Sequence, residues 1–184
     1  MYQTVNIHQK QIRWQVFPRS RSTTDHQKDL LDVFEANYSV IGTPKNGHKS
    51  NEVLALLRLD LISIGYEIEG IEKVNRPVLF GESDKPLKAY NVDGWHASTS
   101  TVLEIEAGQA VENNRFAIDI LKALSIQEAN HLVIAVPANY LPERLKTATK
   151  PAKKEFEKVV NIVDSLYIAG RVNLPLASIM IIGY

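Results

Sequence analysis

The stretch Val92-Asp93-Gly94-Trp95-His96-Ala97-Ser98-Thr99-Ser100-Thr101-Val102-Leu103-Glu104-Ile105-Glu106-Ala107-Gly108 decides how this chain is read. Residues 88–97 and 101–107 read as two strands joined by the small-residue turn Ser98-Thr99-Ser100. With the turn centred on Ser98 and Thr99, antiparallel pairing sets residue 93 opposite residue 104. Directly paired positions have Cβ atoms only about 4.5–5.5 Å apart. Glu104 and Glu106 are two apart on one strand, so their side chains share a face. Three carboxylates then crowd one patch of sheet, an unfavourable arrangement that a hard divalent cation relieves by taking carboxylate oxygens as ligands. A solvent-facing acidic hairpin explains Glu104 and Glu106 equally well when they are taken alone. Two details favour the site: its place mid-domain before a helix, and Gly94, which leaves room for close backbone approach.

Working outward, residues 1–26 carry a partial period of two at Val5, Ile7, Ile12, Trp14 and Val16, consistent with one or two short strands. Asp25 is expected to cap a helix reaching about Asn37, with Leu30, Leu31, Phe34 and Tyr38 at helical spacing. A loop follows over 42–47. Ser50 caps a second helix with Val53, Leu54, Leu57, Leu61 and Ile64 inward, ended by Gly65. Residues 66–74 and 76–80 read as strands, and 81–86 as a turn. Beyond the hairpin the pattern predicts a helix over 111–125 with Phe116, Ile120, Leu121 and Leu124 on one side. A strand over 131–136, a loop over 138–150, a helix closed by Gly170 and a strand over 177–182 complete the chain. Two helix-to-strand units in the second half imply strands buried on both faces.

The order helix, strand, Val92-Asp93-Gly94, hairpin turn, Glu104-Ile105-Glu106-Ala107-Gly108-Gln109, helix, strand resembles the core of the PD-(D/E)xK restriction-endonuclease-like nuclease superfamily. The resemblance covers about residues 50–137 and rests on a short, degenerate motif. It implies an α/β fold with an αβββαβ core, a central mixed sheet and flanking helices. Segments 1–49 and 150–184 are then elaborations of a single domain, 1–184. It further implies that Asp93 and Glu104 bind Mg²⁺ or Mn²⁺, with the carbonyl of Ile105 completing part of the shell. Glu106 occupies the position of the family's lysine, which orients or activates the attacking water. Some of its restriction enzymes also replace that lysine, one with glutamate. Val92 stands where the family usually has proline. Glu52 is a candidate further ligand, although an acid in a first helical turn also complements the helix dipole. Gln109 and Asn113 are candidates for substrate contact or for capping the next helix.

The chain has 184 residues, 45% hydrophobic and 23% charged, which suits one soluble domain with a real core. It contains no cysteine. That excludes disulfides, zinc–thiolate sites and a cysteine nucleophile, and fits a reducing, cytoplasmic setting. No apolar h-region or bilayer-length run is present, so no membrane association is expected. Charge is balanced but unevenly placed. Lys10, Arg13, Arg19, Arg21 and Lys28 lie early, and Arg144, Lys146, Lys150, Lys153, Lys154 and Lys158 late. Each stretch is explained by solvated surface, and together they can grip phosphates around an acidic centre. His8, His26, His48, His96 and His131 form no metal-spaced pair. His96 belongs on the strand face opposite Asp93. No P-loop, G-x-G-x-x-G or nucleophile elbow occurs.

The reading is a metal-dependent DNA endonuclease, possible as a restriction-type enzyme. The alternatives are a catalytically inactive relative that binds nucleic acid or protein, and an unrelated α/β protein with an acidic hairpin. Cutting both strands of a duplex needs two active sites, so a homodimer is expected.

Overall fold

The computed structural model describes residues 11–43, 47–70, 72–108, 114–139 and 152–184. Its main sheet has six strands in the order β1-β8-β7-β6-β5-β2. These are β1 (Arg13–Phe17), β2 (Tyr66–Ile68), β5 (Gly94–His96), β6 (Thr101–Ile105), β7 (His131–Val136) and β8 (Ser178–Gly183). A separate two-stranded ribbon pairs β3 (Val74–Phe80) with β4 (Pro86–Val92). Strands β6, β7 and β8 run parallel, whereas β1, β2 and β5 join antiparallel. The sheet is therefore mixed, as an α/β domain with a central hairpin and two helix-to-strand crossovers requires.

Five helices accompany the sheets among the described residues: α1 (Asp25–Ala36), α2 (Tyr38–Ile41), α3 (Ser50–Ser63), α4 (Arg115–Ser125) and α5 (Glu155–Ala169). The parity of each central strand divides the core. Val102, Leu132, Ile134, Ile179 and Ile181 meet Phe116 and Ile120 of α4 and Phe156, Val159 and Val163 of α5. Leu103, Ile105, Val133, Met180 and Ile182 meet Leu30 and Phe34 of α1 and Leu57 and Leu61 of α3. Each fully buried side chain of this kind contributes about 1.5–3 kcal/mol. This double coverage explains why β6, β7 and β8 are near-continuous apolar runs.

Several expected boundaries move. Thr24, not Asp25, is the N-cap of α1; its hydroxyl accepts from Gln27 N–H and Gln27 answers with a bond from the Thr24 backbone. Lys49 is the N-cap of α3, and Ser50 is its first helical residue. The stretch 66–74 is not one strand: β2 stops at Ile68, and Val74 opens the ribbon. The strand expected over 88–97 is also divided, because β4 ends at Val92 and β5 begins at Gly94. Asp93 thus sits at the joint between ribbon and sheet. A Cβ on Gly94 would lie 2.9 Å from Ile68 Cδ1 and 3.3 Å from Leu103 Cβ. The close approach expected of this glycine is present, and it lets β5 wedge between β2 and β6.

Candidate carboxylate and lysine site

Gly94 pairs with Leu103, so the register continued one residue sets Asp93 against Glu104. The sheet face is shared, as the hairpin arithmetic requires. Asp93 Oδ2 accepts a hydrogen bond from the backbone N–H of Ile105 at 2.7 Å. Glu106 N–H instead donates to Ala135 on the other side of β6. Alternation along the strand therefore turns both the N–H and the carbonyl of Ile105 toward Asp93. The Glu106 carbonyl accepts from the hydroxyl of Tyr184, which is buried at the end of the fold.

Helix α4 adds two groups that the motif does not contain. Lys122 Nζ lies 2.7 Å from Glu104 Oε1 and 2.8 Å from Asp119 Oδ1. Glu104 is 5% exposed and Asp119 is 3% exposed. Among the described residues, no hydrogen-bond donor reaches the buried Asp119 Oδ2. Arg115 Nη1 stands 3.6 Å from Glu106 Oε2. Of the apolar side expected for this helix, Phe116 and Ile120 are buried but Leu121 is 64% exposed. The buried face is rotated, and that rotation aims Asp119 at the sheet.

The electrostatics follow from this crowding. Burial raises the Asp93 carboxyl to about 6, against the Ile105 hydrogen bond that lowers it. Burial, then Asp119, raises Glu106 to about 7, with Arg115 opposing. Glu104 is raised by burial and by the Asp119 and Asp93 charges. Burial pulls the Lys122 ammonium down, but Glu104 and Asp119 more than reverse this and leave it raised. One ammonium is thus held by more carboxylate than it neutralises.

Asp93, Glu104 and Asp119 offer carboxylate oxygens, the ligands a hard divalent ion prefers, and among the described residues Asp119 Oδ2 is buried without a hydrogen-bond partner. Among the described residues no three carboxylate or imidazole groups already have metal-holding spacing. Lys122 stands between Glu104 and Asp119.

Glu52 is not brought to this cluster. It lies on α3, which packs against the opposite sheet face, and its Oε2 accepts from Lys49 N–H at the helix start. Gln109 and Asn113 lie outside the described residues, as does the basic stretch from Arg144 to Lys150. Early arginines are paired at the surface of α5: Arg13 with Glu157, and Arg19 with both carboxylate oxygens of Asp164. His96 does face away from Asp93. Its ring stacks on His26 with centroids 3.8 Å apart, and His26 Nε2 lies 2.9 Å from the Tyr66 hydroxyl.

Sequence reasoning missed Asp119 and Lys122. The available signal was a charged pair at i,i+3 bordering the Phe116–Ile120–Ala123 stripe of an amphipathic helix.

Compared with protein-family models and with curated proteins, the chain gives no match. Among the described residues, no helix is long and apolar enough to cross a membrane.

Proposed function

We propose that this chain is a divalent-metal-dependent endonuclease, of restriction type, that hydrolyses DNA phosphodiester bonds as a homodimer. The observation that carries the reading is the juxtaposition of Asp93 and Glu104 on one face of adjacent strands, with the Ile105 N–H bonded to the Asp93 carboxylate. The element order α3-β2-β5-β6-α4-β7, with the β3–β4 ribbon inserted after β2, supports a restriction-endonuclease-like core.

In this reading Asp93, Glu104 and the Ile105 carbonyl hold Mg²⁺ or Mn²⁺. When bound, the ion supplies charge stabilisation on the phosphate and makes a water more acidic. Glu106, raised toward neutrality, accepts a proton from water at its carboxylate. Lys122, on α4, pairs with Glu104 in the metal-free chain.

The test is cleavage of duplex DNA, single-stranded DNA and RNA with Mg²⁺, Mn²⁺ or chelator. Metal-dependent cleavage of DNA, abolished by Glu104→Gln, is the expected result. No cleavage of any substrate with either metal would overturn the enzymatic reading.

A second reading is a non-catalytic nucleic-acid- or protein-binding domain of the same fold. The observation favouring it is the burial of Glu104 and Asp119 around an ammonium that already pairs with both. Tight DNA binding without cleavage would select it.

A further inference from the structure

We propose that Lys122 is the resident cation of the carboxylate cluster, and that a divalent metal must displace its ammonium before the site is loaded. This rests on the metal-site reading above and adds to it an internal competitor carried by helix α4.

Three observations converge. The ammonium lies 2.7 Å from Glu104 Oε1 and 2.8 Å from Asp119 Oδ1, so it fills the gap between two buried acids of the cluster. The Lys122 side chain is only 18% exposed, so the pair is not a solvated surface contact of little worth. Asp119 is 3% exposed, and among the described residues its Oδ2 has no hydrogen-bond donor. One cation of charge +1 leaves that buried acceptor unused, whereas an ion taking six or more oxygen ligands would use it.

Two positive charges a few ångströms apart in a partly buried site repel strongly, because screening by solvent is incomplete there. An ammonium and a divalent ion therefore do not share the gap. The four-carbon stem of lysine lets the ammonium swing aside while its Cα stays on the helix. Without metal, the ammonium holds α4 to β6. With metal, the ion takes over that contact.

The experiment removes the charge and measures metal rather than activity. Mn²⁺ binding is followed by calorimetry for the wild type, Lys122→Met and Lys122→Gln, and thermal unfolding is followed in chelator and in Mn²⁺. Both variants are expected to bind Mn²⁺ at least about tenfold more tightly than the wild type, since a nearby positive charge is gone. Both are also expected to unfold earlier in chelator and to regain stability in Mn²⁺. Wild type and variants binding with equal affinity would overturn the competition while leaving the metal site standing. Binding by neither wild type nor variant would overturn both. A variant that stays unfolded in chelator and in Mn²⁺ alike would also overturn the proposal, because the metal would then not replace the ammonium.

Discussion

The Asp93 carboxylate accepts a hydrogen bond from the backbone N–H of Ile105 at 2.7 Å. It closes the sheet at the point where the β3–β4 ribbon departs, and it fixes the carboxylate against β6. An asparagine can keep the acceptor oxygen but not the charge. Asp93→Asn is therefore expected to fold with little loss and to bind Mn²⁺ at least about tenfold more weakly, as loss of an anionic oxygen ligand requires. Asp93→Ala leaves Ile105 N–H unpaired and is expected to cost about 1–3 kcal/mol of stability in addition. Calorimetry and thermal unfolding of the two variants side by side check both parts.

Raised carboxyls give a pH dependence of definite sign. Folded Asp93 titrates near 6 and folded Glu106 near 7, each above its unfolded value, so the native state holds protons the unfolded chain has released. That contribution is complete below the unfolded values and is lost as pH rises through the folded ones. In chelator, thermal stability is expected to fall as pH rises from 4.5 to 7, and Glu106→Gln is expected to flatten the upper part of the fall. A variant slope equal to that of the wild type would refute the assignment to Glu106.

His26 works in the opposite direction. Burial, then the neighbouring His96, lowers it from 6.5 to about 4. Its neutral form supports the fold above the unfolded value, and this support is lost as pH falls from 6.5 toward 4. Denaturant unfolding over that interval is expected to show a weaker loss on acidification in His26→Asn than in the wild type. The difference between the two proteins isolates the histidine from the carboxylates, which gain stability in the same interval.

Gly65 ends α3 at φ +97°, and a Cβ there would lie 2.8 Å from His96 Nε2. Gly65→Ala is expected to destabilise by at least about 1 kcal/mol, because alanine is strained at positive φ. It is also expected to disturb the His26–His96 stack. Chemical denaturation reads the first effect, and the histidine ring NMR signals read the second.

A homodimer with one site per chain is the expected assembly for cutting both strands. Sedimentation of the protein alone and with duplex DNA tests it: two chains per complex is the expected result. One chain per particle in both samples would leave only single-strand nicking open.

The register that sets Asp93 against Glu104 was readable in the sequence. Strand residues alternate with period two, and Ser98-Thr99-Ser100 leaves little freedom for the turn. Leu30, Phe34, Leu57 and Leu61 were readable as core for the same kind of reason, since a helix that must cover a sheet repeats its apolar residues every three to four positions. The break at Asp93 was not, because Tyr90, Val92 and Trp95 carry strand-like residues through it and nothing local marks a change of sheet.

What the sequence by itself determined is therefore a carboxylate pair on a hairpin and the faces of the helices beside it, since both depend on local periodicity. Only the tertiary structure decided that Lys122 and Asp119 complete the cluster and that Glu52 stays outside it. Those outcomes depend on which side of the sheet each helix covers and on the rotation of α4 about its axis. Both are set by the tertiary packing of Phe116, Ile120 and Ala123 against β6 and β7, and no spacing within the helix encodes that choice.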